Sequence, residues 1–269
     1  MISRKIVTAA DSKFFYGLLT LLTTFYHMTR YENYKLEIWD LGLTDNQLNL
    51  LRLILRENWT IRSIEELGPE PFPGAFKASE RNFAWKPYCI SNSYSSHVSL
   101  LWLDAGVAIS QDLNEIFCQI EENNSLFIQN GQHKNKNWIS PECFNNLQPT
   151  FHELESFQIH ANILGFGKSN SIRELLSVWQ QHCSIPANVV SSFTNHRHDQ
   201  TVLSLEIAKR DIRIENEDMY LLESANFKKS TKRCFFLAHR QSFNWVDFNS
   251  LINNNLLQPD SKEYHSKEF

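Results

Sequence analysis

Glycine and proline are scarce, eight of each in 269 residues, which excludes collagen-like and low-complexity architectures. A strong charge of one sign is also missing. Lys and Arg number 26 against 30 Asp and Glu, for a formal net charge of −4. Without a basic field the chain is not expected to bind nucleic acid. Cysteines are few and scattered. Cys89, Cys118, Cys143, Cys183 and Cys234 form no CxxC pair and no zinc-knuckle spacing, so they read as reduced, buried thiols in a reducing compartment. No apolar run reaches the ~20 residues of a membrane span. The best one, residues 14–25, carries Tyr16, Gly17, Thr20, Thr23 and Thr24. A secretory leader is not expected, because polar residues precede that run and no small-residue cleavage pattern follows it. These absences predict a cytoplasmic protein. Three enzyme signatures are lacking too: GxGxxG after the first strand, a Walker A lysine loop and GxSxG.

What is present suits a large core: 42% of residues are hydrophobic and 13% aromatic. The pattern predicts one domain over residues 1–250 and a polar tail over residues 251–269. Lys5 to Ala10 reads as a buried strand, Asp11-Ser12 as a cap, and residues 14–28 as a helix. A second strand (residues 35–41), a helix (45–56) and a short strand (60–64) follow. This rhythm predicts a three-layer α/β sandwich whose sheet is mostly parallel with a mixed edge. Residues 79–89 are expected to form a helix kinked or ended by Pro87. The run Val98 to Asp104 is almost wholly apolar, as a central strand covered on both faces should be. Residues 113–121 suggest a helix, and the Asn- and Gln-rich stretch 123–149 an irregular loop system. Beyond it come a strand over 158–166, a helix over 171–182 capped by Ser171, a helix over 199–210 and a last strand over 234–238.

Ligands of open parallel sheets bind beyond the carboxyl ends of the strands. Asp104 ends the central strand in Leu101-Trp102-Leu103-Asp104-Ala105-Gly106, where a carboxylate could ligate a divalent cation on a diphosphate; it could equally start a turn. Thr8, Ala9, Ala10 and Asp11 close the first strand on the same side. The small residues let a flat base approach, and Asp11 can accept hydrogen bonds from a base or ribose, or simply cap the helix. Lys77, Arg81 and Lys86 are spaced to share a helical face and to neutralise a diphosphate. Asn162 sits in an apolar strand and needs a partner if buried, whether a ligand or a backbone group. His196 and His198 have zinc-like spacing only if extended, and a loop is the simpler reading. Trp138, in the polar stretch, is the best candidate for a stacking surface toward a ligand, or else it anchors its loop.

In order along the chain, Val7-Thr8-Ala9-Ala10-Asp11, Asn82-Phe83-Ala84-Trp85-Lys86-Pro87, Leu101 to Gly106, His160 to Phe166, His198-Asp199-Gln200 and His239 together resemble a GT-A-type nucleotide-sugar glycosyltransferase. The set is most similar to the glycosyltransferase family 8-like enzymes. The resemblance spans roughly residues 5–240. It implies transfer of a hexose-type sugar from a UDP-linked donor to a glycan or glycolipid acceptor, with retention, by an enzyme that could gather at the inner face of the membrane. It implies that Asn162 lines the donor sugar, that Asp199 orients its hydroxyls and that Gln200 approaches the anomeric centre. It also implies a divalent cation, Mn²⁺ or Mg²⁺, on Asp104 and His239. The sequence departs from the pattern at one place: the second aspartate of the DxD motif is Gly106. Either Asp104 and His239 hold the cation with water and diphosphate, or Lys77, Arg81, Lys86 or Arg240 neutralises the leaving group directly. A non-catalytic nucleotide-sugar-binding module on the same fold is the alternative.

Overall fold

The computed structural model describes residues 3–95, 97–192, 194–217, 220–223 and 234–238. Strands β1 (Arg4–Ala10), β2 (Lys35–Asp40), β3 (Trp59–Ser63) and β4 (Ser99–Leu103) are joined through helices α1 (Phe15–Met28), α2 (Asp45–Ile54) and α3 (Trp85–Ser93). Next come β5 (Val107–Ile109), α4 (Asn114–Asn123), β6 (Ser125–Lys134), α5 (Pro141–Leu147), α6 (Phe151–Glu155) and β7 (Phe157–Phe166). Helices α7 (Asn170–Cys183), α8 (Pro186–Val189) and α9 (His198–Lys209) precede β8 (Leu221–Glu223) and β9 (Phe236–Ala238). Six strands form the main sheet in the order β3-β2-β1-β4-β7-β6, and β5, β9 and β8 form a small second sheet. β1 to β4 are mutually parallel where they pair, and β7 runs antiparallel to both β4 and β6.

Alternation along each strand builds the layers. Ile6, Leu36, Ile38, Leu101 and Leu103 point to a core completed by α1, α2 and α4. Val7, Trp39, Leu100 and Trp102 point to the opposite core, completed by α3, α7 and α9. A strand covered on both faces has no room for a polar alternate, and all five residues of β4 are buried. Trp39, Trp102 and Trp179 are fully enclosed; burying an aromatic side chain of ~150–250 Å² is worth about 4–6 kcal/mol. The three-layer, mostly parallel α/β architecture expected from the sequence is the one observed.

Three expectations need correction. Residues 79–89 are not one helix. Ala78–Glu80 make a single 3₁₀ turn, Arg81 and Phe83 adopt φ of +52° and +54°, and α3 starts at Trp85. Pro87 is therefore in the first turn, where its missing N–H costs nothing. Buried Asn82 holds the break in place: its amide donates to the Gly74 carbonyl (3.1 Å) and accepts from the Ala84 N–H (2.9 Å). Residues 123–149 are not irregular, for they contain β6 and α5. The first four residues of β6 are buried, but beyond Phe127 its register with β7 shifts twice. That half pairs with β7 on one side and, at Ile128, with Glu215 on the other, and its residues past Ile128 are half-buried or exposed, so no apolar period could be read. Finally, α7 is capped by Ser169, whose hydroxyl accepts from the Ile172 N–H, rather than by Ser171. No helix among the described residues is long and apolar enough to cross a membrane. The tail over residues 251–269 lies outside the described residues.

Candidate active site

β1 and β4 lie side by side with Val7 opposite Trp102. Their carboxyl ends therefore deliver Asp11 and Asp104 to the same rim of the sheet. Asp104 is fixed there by its neighbours: its N–H donates to the Asn162 carbonyl (2.9 Å), and the Val107 N–H donates back to its own carbonyl (2.9 Å). Helix α1 packs directly on this turn. A Cβ added to Gly17 would stand 2.8 Å from the Ala105 carbonyl oxygen, so only glycine permits the approach. Ala105 is buried and Gly106 half-buried in the same turn.

The side chain of Asp104 meets a buried cation. Its Oδ1 accepts from Trp102 Nε1 (2.7 Å) and pairs with Lys86 Nζ (2.9 Å). Lys86 is only 3% exposed. Its ammonium also donates to the Ala161 carbonyl (3.0 Å) and lies 5.5–5.9 Å from the rings of Phe83, Trp85 and Trp102. Burial pulls the Lys86 pKa down, but Asp104 and Asp199 outweigh it and leave the ammonium more basic than usual. Asp199, at the start of α9, is 3% exposed. Burial pushes its carboxyl from the ordinary 3.8 up to about 7, with Lys86 opposing and Asp104 adding to the rise.

Buried polar atoms normally find partners. Here Asn162 Oδ1, Asp199 Oδ2 and Gln200 Nε2 are buried with none among the described residues. These are one acceptor on β7 and one carboxyl oxygen and one amide donor in the first turn of α9, the complement of a polyhydroxylated ligand; Gln158 Oε1, also on β7, is likewise unpartnered among the described residues.

The structure brings together Lys86, Asp104 and Asp199, with Asn162 held to Asp104 through the backbone and Gln200 following Asp199. It does not gather the other expected residues. Thr8 is fully buried; between Val7 and Ala9 it points to the α1 side of the sheet, as do Ile6 and Ala10. Its hydroxyl, too, has no partner among the described residues. Asp11 spends Oδ1 on the N–H groups of Lys13 (3.1 Å) and Phe14 (3.0 Å), closing the turn before α1. Lys77 and Arg81 do not share a helical face with Lys86, because the left-handed residues 81 and 83 break the chain between them. Lys77 instead lines a groove of about 290 Å³ with Leu41, Gly42, Ile64, Glu65 and Phe76. His239 and Arg240 lie outside the described residues.

Of the two expected cation ligands, Asp104 is described and His239 lies outside the described residues. The Asp104 oxygen that faces inward is held by an ammonium and an indole, position 106 is glycine, and no group of three His, Cys, Asp or Glu side chains among the described residues could hold a metal. The histidine pair is structural. His196 accepts from the Ser140 N–H (3.3 Å) at Nδ1 and bonds the Asn188 carbonyl (2.9 Å) at Nε2, while burial and His198 push its pKa down to about 4. His198 Nδ1 bonds the Val189 carbonyl (2.7 Å). Trp138 carries the Arg197 guanidinium 3.7 Å from its ring centroid, so that face is not open for a sugar. Sequence reasoning missed Trp102 and Phe83 as neighbours of the site. Trp102 reads as core, and no sequence signal marks a left-handed phenylalanine.

No protein-family model matches the sequence, and no curated protein matches it. Solved structures do match the fold. A galactosyltransferase, LgtC, in complex with donor and acceptor sugar analogues aligns with a TM-score of 0.57 at 11% identity, covering 97% of this chain and 98% of that one. An active-site mutant of LgtC aligns with a TM-score of 0.52 at 12% identity, covering 93% and 95%. The bifunctional glycosyltransferase WbbM aligns with a TM-score of 0.58 at 13% identity; 88% of this chain matches 46% of that longer one. The chain has the α/β fold of these glycosyltransferases.

Proposed function

We propose that the chain is a glycosyltransferase that moves a hexose-type sugar from a UDP-linked donor to a glycan or glycolipid hydroxyl. One observation carries the reading. Three unpartnered buried polar atoms, on Asn162, Asp199 and Gln200, adjoin the ion pair of buried Lys86 with half-buried Asp104 at the rim where a sheet of this fold presents ligands. In this reading the nucleotide lies along the rim beside Asp11, and the diphosphate near Asp104-Ala105-Gly106, where Asp104 would hold the divalent cation that neutralises it. Asn162 Oδ1 and Asp199 accept from hydroxyls of the donor sugar, and Gln200 Nε2 donates toward the anomeric centre. The bond from the anomeric carbon to the diphosphate oxygen breaks, the acceptor oxygen bonds to that carbon, and the acceptor proton passes to the departing diphosphate. Holding these groups fixed before reaction is where such a site gains rate. Retention of configuration and the acceptor class follow from the resemblance to family 8-like enzymes.

The second reading is a module that binds the nucleotide sugar without turning it over, favoured by Gly106 and by the engagement of Asp104 with Lys86. Calorimetric titration of UDP with and without Mn²⁺, followed by hydrolysis of a panel of UDP-sugars, separates the two. Turnover supports the transferase, binding without turnover of any donor supports the module, and absence of UDP binding under both conditions removes both.

A further inference from the structure

Six non-glycine residues among those described have positive φ. Four sit where helices commonly stop. Arg81, Asn124 and Gln148 are left-handed C-caps, and Asp211 follows the end of α9. Phe83 (+54°) and His198 (+50°) have no such reason. Phe83 precedes a helix and His198 opens one; histidine enters this region more readily than most residues, whereas a phenylalanine there is strained. Phe83 comes just before α3, and its carbonyl accepts from the Lys86 N–H (3.0 Å). His198 opens α9 and is joined directly to Asp199. The two left-handed residues touch: their ring centroids are 5.8 Å apart with the planes at 50°. The Phe83 ring also lies 5.9 Å from Lys86 Nζ, and the His198 ring is anchored on the Val189 carbonyl.

Strained conformations persist only where the surroundings over-determine them. We infer that Phe83 and His198 form a clasp of two positioning residues, whose ring contact ties the loop before α3 to the start of α9 and so sets Lys86 and Asp199 against Asp104. The inference rests on the reading of this cluster as the donor-sugar site. Neither ring needs to touch the reacting atoms; the clasp acts through the buried charges next to it.

The test uses Phe83→Gly, His198→Asn and their combination, because Gly and Asn tolerate left-handed backbone and remove only the ring. Phe83→Leu serves if the glycine variant does not fold. Two readouts are taken on the full chain: steady-state hydrolysis of UDP-glucose and UDP-galactose, and the rate at which Lys86 is reductively methylated, followed by mass spectrometry. Each single variant is expected to lower kcat about tenfold while KM stays within about threefold. Lys86, protected in the native chain, is expected to be labelled about tenfold faster. The combined variant is expected to be no worse than either single one, since one clasp can be opened only once. Effects that multiply in the combined variant, or folded variants with native kcat and native Lys86 protection, would overturn the clasp. If the native chain hydrolyses neither donor, the transferase reading fails on that arm and the labelling cycle alone decides the clasp.

Discussion

Three adjacent parallel strands each end on or just before an aspartate, and the three are used differently. Asp40, ending β2, gives Oδ1 to the N–H groups of Gly42 (2.8 Å) and Leu43 (2.7 Å), and Asp11, after β1, does the same for Lys13 and Phe14. Both close turns with groups that the local chain supplies. Asp104, after β4, receives an indole and a buried ammonium instead, and across from it Asp199 Oδ2 receives nothing among the described residues. The first two sites are complete without a ligand. The third is complete only on its protein side, and that contrast, rather than the presence of an acid at a strand end, marks the site.

The contrast can be broken by removing one aspartate at a time. Asp104→Ala leaves Lys86 buried without its nearest counter-charge, which should cost about 3 kcal/mol in urea denaturation. It should also lower UDP-sugar turnover by about 100-fold or more. Native turnover in a folded Asp104→Ala protein would sink the site assignment. Gln200→Ala removes a buried amide donor that has no protein partner, so its unfolding midpoint should hold or rise while turnover falls about tenfold to 100-fold. A loss of stability with unchanged turnover would mean that the amide serves the fold. Asp40→Ala should do the reverse, costing about 0.5–2 kcal/mol of stability by losing its turn and leaving turnover unchanged.

A smaller effect sharpens the comparison through pH. The Asp199 carboxyl titrates near 7 in the folded chain against an ordinary value of 3.8, with burial the largest cause. Its folded pKa is raised, so its contribution to stability is fully present below about 4 and is lost as pH rises toward about 7. Asp199→Asn should therefore flatten the stability-pH curve across that window. An unchanged curve would show that the carboxyl is not the group responsible.

Much of this was legible in the sequence. The two-sided burial of β4 was written in its unbroken apolar run, and the run pointed to Asp104. The partition of Lys77, Arg81 and Lys86 was not legible, because their spacing fits a helix and only the left-handed Arg81 and Phe83, held by Asn82, break it. β6 escaped notice for a different reason: after Ile128 its residues are half-buried or exposed and its register with β7 shifts, so no apolar period marks it. The capping role of Asp11 was one of two open readings. Which one it takes depends on where Lys13 and Phe14 turn their N–H groups, a matter of backbone geometry rather than of composition.

The most direct measurement is calorimetric titration of UDP, at fixed Mn²⁺, into the native chain, Asp40→Ala and Asp104→Ala. Affinity that is equal in the first two and at least about tenfold weaker in Asp104→Ala is the predicted result. Equal affinity in all three would place the nucleotide elsewhere and contradict the account.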